Sequence, residues 1–282
     1  MSTPKFENLE ITVFPNGVTE IAFNRPEVYN ALSGELYKDW LDAIVWAKSA
    51  EQVKVVVLTG RGKYYSSGAK LQAPDTSPAG VAKEKERKTT VKTLVAELIK
   101  FPKLLIAAVN GPAFGFAVTT LALCDAVYSV PSATFATPFM KLAFCAEGCS
   151  SVLFPRIMGP SRASEMLLMG RTFIAQELEQ CGLVGRILPA EGFLKAVLAI
   201  AEDAAKFSPA AIATTKELVR RVDRDLLLQV NEEEMARLEE RRASKESRES
   251  IMNFVHEAER KREAKRRAKN QPSATAAAKS KL

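Results

Sequence analysis

Apolar and polar positions alternate from Leu9 to Asn24 around Ile11, Val13, Val18, Ile21 and Phe23, with Pro15-Asn16-Gly17 at the centre. A period of two interrupted by an Asn-Gly turn predicts a β-hairpin. From Asn30 to Ala47 the spacing becomes helical (Leu32, Leu36, Trp40, Ile44), with Ser33 as the expected N-cap. A β-branched run from Val53 to Thr59 then predicts a buried strand. Strand, helix and strand in succession argue for parallel pairing with a right-handed crossover.

The stretch organising the chain is Leu105 to Asp125. It opens as a buried strand, turns at Asn110-Gly111-Pro112 and resumes with small and aliphatic residues suited to a buried helix. The first amides of such a helix have no partner within it, and its dipole makes that end slightly positive, so they suit an oxygen gaining negative charge. The strand ending at Gly60 leads likewise into a Gly- and Ser-rich turn, Arg61 to Leu71. Two such junctions together could grip one carbonyl oxygen.

Between them, Gln72 to Thr90 is polar and predicts a surface loop merging into a charged helix, amphipathic from Val91 to Ile99. Its cations Lys83, Lys85, Arg87 and Lys88 form either a solvated face or a patch near the phosphates of a bound nucleotide. Strands are expected at Ala126–Val130, Ala133–Thr137 and Val184–Leu188. Helices are expected at Ser150–Met158, Ser161–Met169 and Ala175–Cys181. Beyond Pro189 the pattern is purely helical, over Phe193–Lys206, Pro209–Val222, Asp223–Arg242 and Glu246–Glu259. The shift divides the chain into an α/β core (1–200), a helical subdomain (201–258) and a basic flexible tail (259–282), helical to about Lys269.

The net charge of +7 invites a nucleic-acid reading, but nine basic and two acidic residues from Glu259 onward carry all of it. A basic groove on the folded part is therefore not expected, nor a nucleic-acid partner. A single histidine, His256, on a charged helix, removes most imidazole-based mechanisms. Cys124, Cys145, Cys149 and Cys181 lack a zinc spacing and read as free thiols; no metal is expected. No apolar run reaches the ~18–20 residues of a membrane span, and the N-terminal residues carry no signal-peptide core. Ser280-Lys281-Leu282 reads as a peroxisomal address, implying an import receptor as partner and the peroxisomal matrix as location.

Asn24-Arg25-Pro26 with Asn30-Ala31-Leu32, the Ser66-Ser67-Gly68-Ala69 turn, and Asn110-Gly111-Pro112-Ala113-Phe114-Gly115 leading to Cys124-Asp125 resemble, in order and spacing, the crotonase (enoyl-CoA hydratase/isomerase) superfamily over residues 10–255. The resemblance implies an α/β fold with a repeated β-β-α spiral core, and C-terminal helices that pack into a homotrimer or hexamer. It assigns an oxyanion hole to the backbone N–H groups of Ala69 and Phe116. It also implies that Asn30, Ala31, Leu32, Ser67, Gly68, Lys70, Leu71 and Gly115 line the path of an acyl-CoA substrate. Lys70 departs from the pattern, which usually has an acidic residue there.

Within that superfamily, Ala136-Thr137-Pro138-Phe139 followed by Ala146-Glu147-Gly148-Cys149-Ser150-Ser151 is similar to the peroxisomal Δ3,Δ2-enoyl-CoA isomerases, and also to the crotonase-like half of chromodomain Y-like proteins. Hydratases of the superfamily use two carboxylates, and the matching positions here hold Thr119 and Phe139, neither an acid nor a base. Taken alone, Glu147 is an acid at a helix N-terminus. By resemblance it is the single catalytic glutamate, its pKa raised by Phe139, Phe144 and Ala146. The expected activity converts 3-enoyl-CoA esters to trans-2-enoyl-CoA in oxidation of unsaturated fatty acids, without metal or redox cofactor. The alternatives are a non-catalytic acyl-CoA-binding protein, which the organelle address and the want of a chromodomain ahead of this stretch argue against for chromatin, and another crotonase reaction in a specialised pathway.

Overall fold

A computed structural model describes residues 2–72 and 75–270. The hairpin forms as β1 (Leu9–Val13) and β2 (Val18–Phe23), turning at Gly17 with φ +88°, where Asn16 Oδ1 accepts the Val18 N–H at 3.0 Å. Helix α1 (Gly34–Ser49) begins at the expected cap, Ser33 Oγ accepting the Leu36 N–H at 3.3 Å. It crosses to β3 (Val55–Gly60), which pairs parallel with β2. Helix α2 (Pro78–Ile99) starts earlier than its polar sequence suggests, because Ser77 caps Gly80 N–H and Pro78 fits the first helical turn.

Then come β4 (Leu104–Val109), β5 (Ala113–Phe114), the short α3 (Phe116–Thr119), β6 (Ala126–Ser129) and β7 (Thr134–Ala136). The buried helix expected after Gly115 is thus only four residues before it tightens into a 3-10 turn over Thr120–Leu123. Next are α4 (Ser150–Met158), α5 (Pro160–Leu167), β8 (Phe173–Ile174), α6 (Ala175–Gln180) and β9 (Arg186–Ile187). Of the expected strand at 184–188 only β9 joins the ladder, while β8, too short to show a period, pairs antiparallel with β7. The helices α7 (Phe193–Ala205), α8 (Pro209–Ala243) and α9 (Lys245–Asn270) follow. Two helices were expected across 209–242, yet Val222-Asp223 holds no Gly or Pro and one 35-residue helix runs through. Ser280, Lys281 and Leu282 lie outside the described residues.

A six-stranded sheet has the order β1-β2-β3-β4-β6-β9, parallel apart from the hairpin, and a smaller sheet has the order β5-β7-β8. Successive turns of chain, β4 to β5 and β6 to β7, each place one strand in the large sheet and one in the small. Bridges Ser66–Ala113 and Leu32–Ala69 carry the small layer back to the turn after β3. This is the spiral of β-β-α repeats. Strands β2 and β3 are buried along their whole length, as parallel strands covered on both faces require. Beneath the layers Phe23, Trp40, Tyr37, Tyr65 and Phe116 interlock edge to face, with ring centroids from 4.9 Å to 5.9 Å apart.

Helix α8 is tied at both ends. Near its start, Lys216 and Arg220 reach Asp125, ahead of β6, at 2.6 Å and 3.0 Å, and the same carboxylate accepts the Leu105 N–H at 2.8 Å. Further along, Lys92–Glu232 at 3.0 Å, Lys88–Glu239 at 2.6 Å and Arg242–Glu84 at 3.3 Å join it to α2. Among the described residues no helix is long and apolar enough to cross a membrane.

Candidate active site

The turn after β3 is shaped by Asn30, which is fully buried at φ +53°. Its side chain accepts the Arg25 N–H at 2.8 Å and donates to the carbonyls of Arg61 and Tyr64 at 3.0 Å and 2.9 Å. Its carbonyl receives the Ser66 hydroxyl at 2.7 Å, and that hydroxyl in turn accepts the Gly68 N–H at 3.1 Å. Asn30 therefore builds the wall of the turn from behind. Ala31, Ser67, Ala69 and Leu71 are partly accessible, Lys70 is exposed, and Leu32, Gly68 and Gly115 are buried.

On either side of Ala69 the backbone is paired with Leu32: Leu32 N–H donates to Gly68 O at 2.8 Å and Lys70 N–H to Leu32 O at 2.9 Å. The N–H of Ala69 has no acceptor among the described residues. At the second junction Gly115, φ +58° and ψ −127°, donates to Ala136 O at 2.8 Å, and the next N–H, that of Phe116, is likewise without an acceptor among the described residues. The junctions touch: Phe114 N–H donates to Ser66 O at 3.0 Å, and a β-carbon on Gly68 would stand 2.8 Å from Phe114 O. Two unpartnered donors therefore sit on adjoining turns.

Glu147 lies ahead of α4 on a turn that passes through two left-handed residues, Gly148 at φ +68° and Cys149 at φ +62°. Gly148 packs directly on Thr119 of α3, so the loop rests on the helix that Phe116 begins. Glu147 keeps part of its surface open, yet its carboxyl is withdrawn from water. Burial pushes its pKa up to about 7, against the pull of Arg242 and Arg87 and with some help from Glu234. Tyr37, whose ring meets Phe116 at 5.3 Å, feels the same carboxylate, and burial with that charge drives its hydroxyl well above the ordinary value.

Two neighbouring acids are already engaged: Glu84 holds Arg87 at 2.6 Å and Arg242, and Glu234 holds backbone amides. The Glu147 carboxylate makes no hydrogen bond or ion pair among the described residues. Of these three acids it alone has no such partner. Thr119 is buried with its hydroxyl on Phe116 O at 3.1 Å, and Phe139 is buried, so positions 119 and 139 supply no second carboxylate. Cys145 and Cys149 donate to helix carbonyls, and among the described residues no group of three or more His, Cys, Asp or Glu could hold a metal ion.

Arg87, Arg242 and Glu234 were not singled out from sequence as contacts of the Glu147 site. Arg87 belongs to the cation run of α2, but it turns inward to Glu84, and Arg242 stacks over Phe144 with its Cζ 4.5 Å from the ring centroid. Neither serves a solvated face. Two surface cavities lie elsewhere, one of about 260 Å³ beside Cys124 and Tyr128, the other of about 410 Å³ between α1 and α2; neither includes Glu147, Ala69 or Phe116.

A family profile described as enoyl-CoA hydratase/isomerase matches residues 13–265. The human protein Enoyl-CoA delta isomerase 2 is 42% identical over 252 residues, covering 89% of this chain but 64% of its own length. The mouse protein Enoyl-CoA delta isomerase 3, peroxisomal, is 40% identical over 242 residues, 85% of this chain and 76% of its own. Among solved structures, an enoyl-CoA hydratase/isomerase from Pseudoalteromonas atlantica T6c superposes with a TM-score of 0.80 at 29% identity, covering 89% of this chain and 98% of the other.

Proposed function

The chain belongs to the enoyl-CoA hydratase/isomerase family, and from that premise we propose that it is an enoyl-CoA isomerase shifting a double bond from C3–C4 to C2–C3 of an acyl-CoA thioester. What supports the reading is the unpaired carboxyl of Glu147, its pKa raised by burial, on a loop packed against α3, together with the unpartnered amides of Ala69 and Phe116 on adjoining turns and with Thr119 and Phe139 where a hydratase would need carboxylates.

The chemistry follows from those groups. Glu147 removes a proton from C2 of a 3-enoyl thioester, and the electron pair moves into the thioester carbonyl to give a dienolate. The amides of Ala69 and Phe116 hold the oxygen as its charge grows. Glu147 then returns the proton to C4, the double bond settles between C2 and C3, and the carboxylate is regenerated. One base serves both transfers, so the step needs neither a metal nor a redox group. Hydration would also require a positioned water and a second acid, for which this arrangement has no carboxylate to spare.

The isomerase names of the human and mouse relatives support the same reaction, and the word peroxisomal in the mouse name supports a peroxisomal setting; a shift of this kind suits oxidation of unsaturated fatty acids. Exposed Leu218, Val219 and Val222 on α8 support assembly of the C-terminal helical subdomain into a trimer or hexamer. The direct test is Glu147→Gln. With 3-hexenoyl-CoA, followed by the absorbance of the conjugated thioester, turnover should fall on the order of a thousandfold while acyl-CoA binding persists. Unchanged turnover would overturn the reading, as would hydration of a 2-enoyl-CoA outpacing isomerisation.

A further inference from the structure

We propose that Glu234 of α8 is a positioning residue, its carboxylate holding the Glu147 loop in the orientation that proton transfer needs. The proposal rests on the reading of Glu147 as the base.

The first turn of α4 leaves backbone donors without intrahelical acceptors, and Cys149, which precedes it, supplies no side-chain cap. The cap comes instead from 85 residues further along. One oxygen of Glu234 accepts the Cys149 N–H at 2.7 Å and the other accepts the Ser151 N–H at 3.0 Å. Both bonds are shielded from water, with Glu234 itself buried; that burial raises the carboxyl's pKa, and the two N–H donors oppose the rise. They fall two and four residues after Glu147.

Glu234 is the middle of three attachments. Cys149 Sγ donates to Leu227 O at 3.3 Å, Cys145 Sγ meets Glu234 O at 3.9 Å, and Arg241 Nε donates to Ala143 O at 3.0 Å. Positions 227, 234 and 241 are seven apart, two helical turns each, and so share one face of α8. The loop from 143 to 151 is laid along that face like a strap over a rail. A non-glycine residue in the left-handed region, as at Cys149, persists only where its surroundings hold it, and the Glu234 carboxylate is what grips that residue's N–H.

The groups facing Glu147 are Tyr37 from α1, Arg87 from α2, Cys145 from its own loop, and Arg242 and Glu234 from α8, with Glu84 of α2 paired behind to Arg87 and Arg242. Glu234→Gln turns an NH2 toward one of the two amides and removes one negative charge from this set. Glu234→Asp keeps the charge but is shorter by one methylene. Both variants should lose roughly ten- to a hundredfold in kcat, with KM for 3-hexenoyl-CoA within about twofold. The acidic limb of the kcat–pH profile should move down in Gln and stay in place in Asp.

A folded Glu234→Gln with wild-type kcat overturns the proposal, as does loss of kcat with a parallel rise in KM and an unmoved limb, the mark of general loosening. If the Gln variant does not fold, Glu234→Asp decides: wild-type kcat overturns the proposal and reduced kcat at unchanged KM supports it. Glu147→Gln run alongside separates the two levels. An active Glu147→Gln removes the base reading and this proposal with it, whereas an inactive one beside fully active Glu234 variants removes this proposal alone.

Discussion

Gly148 sits so close to Thr119 that a β-carbon on it would stand 2.6 Å from the threonine Oγ1. That contact seats the loop of Glu147 on α3, the helix whose first N–H belongs to Phe116. The proposed base and one of the two proposed donors are thus linked through one short, buried side chain that the backbone of Gly148 packs against.

Gly148→Ala therefore meets a steric conflict and a left-handed φ together. We expect a loss of about 1–3 kcal/mol in stability, with reduced turnover, read by chemical denaturation and the isomerase assay. Adding Thr119→Ala relieves the contact and should restore part of the stability. The φ component should remain.

With its carboxyl raised to about 7, Glu147 is half protonated near neutrality. A base must be ionised to act, so kcat/KM should rise with pH to a plateau above a limb near 7. A limb near the ordinary glutamate value would contradict this placement.

The same shift sets a stability trend with a definite sign. A carboxyl at about 7 in the folded state and 4.5 in the unfolded one binds protons preferentially when folded between those values. Its stabilising contribution is full below pH 4.5 and is lost as pH rises through 7, by up to about 3 kcal/mol. Glu147→Gln should accordingly be more resistant to denaturant than wild type at pH 8, with the advantage vanishing near pH 5.

Arg242 pulls the Glu147 pKa downward from its place over Phe144. Arg242→Gln should move the acidic limb of the rate profile upward, so the variant is impaired at pH 7 and recovers toward wild type at pH 9. Lysine is not an equivalent, because its compact ammonium can neither stack on the ring nor present a planar face to Glu84. An unmoved limb would show that the arginine's charge does not reach the base.

Asp125 anchors the first half of α8, and its removal leaves Lys216 and Arg220 facing each other without a counter-charge. Asp125→Asn should cost about 3 kcal/mol in unfolding free energy, measured by urea titration. Replacing an exposed pair such as Lys245 and Glu249 should cost almost nothing by comparison.

The parts of this arrangement that could be read from the chain are those with a local signature. The hairpin, the Ser33 cap and the strand-to-turn junctions rest on short-range periodicity and turn chemistry, and the motifs around Ala69, Phe116 and Glu147 are contiguous. Glu234, Arg87 and Arg242 had no such mark: in sequence each is one charge among many on a polar helix, and only packing between α2, α8 and the 143–151 loop turns it inward. Asn30 shows the converse, a motif residue whose groups go to the backbone of a neighbouring turn. The extent of α8 was missed because helix continuity depends on what lies against it, and its middle carries neither a breaker nor a decisive apolar stripe.

Thirty-five helical residues make α8 a rod roughly 50 Å long, moored at one end to Asp125 and at the other to the turn that carries residue 147. Such a rod is stiff along its axis, and the ion pairs to α2 pin it between the two moorings. A lesion beside the large sheet therefore removes one of the fixings of the same helix that carries the cap of the 143–151 loop. The seat of residue 147 is thus shared between α3, α4 and the far end of α8.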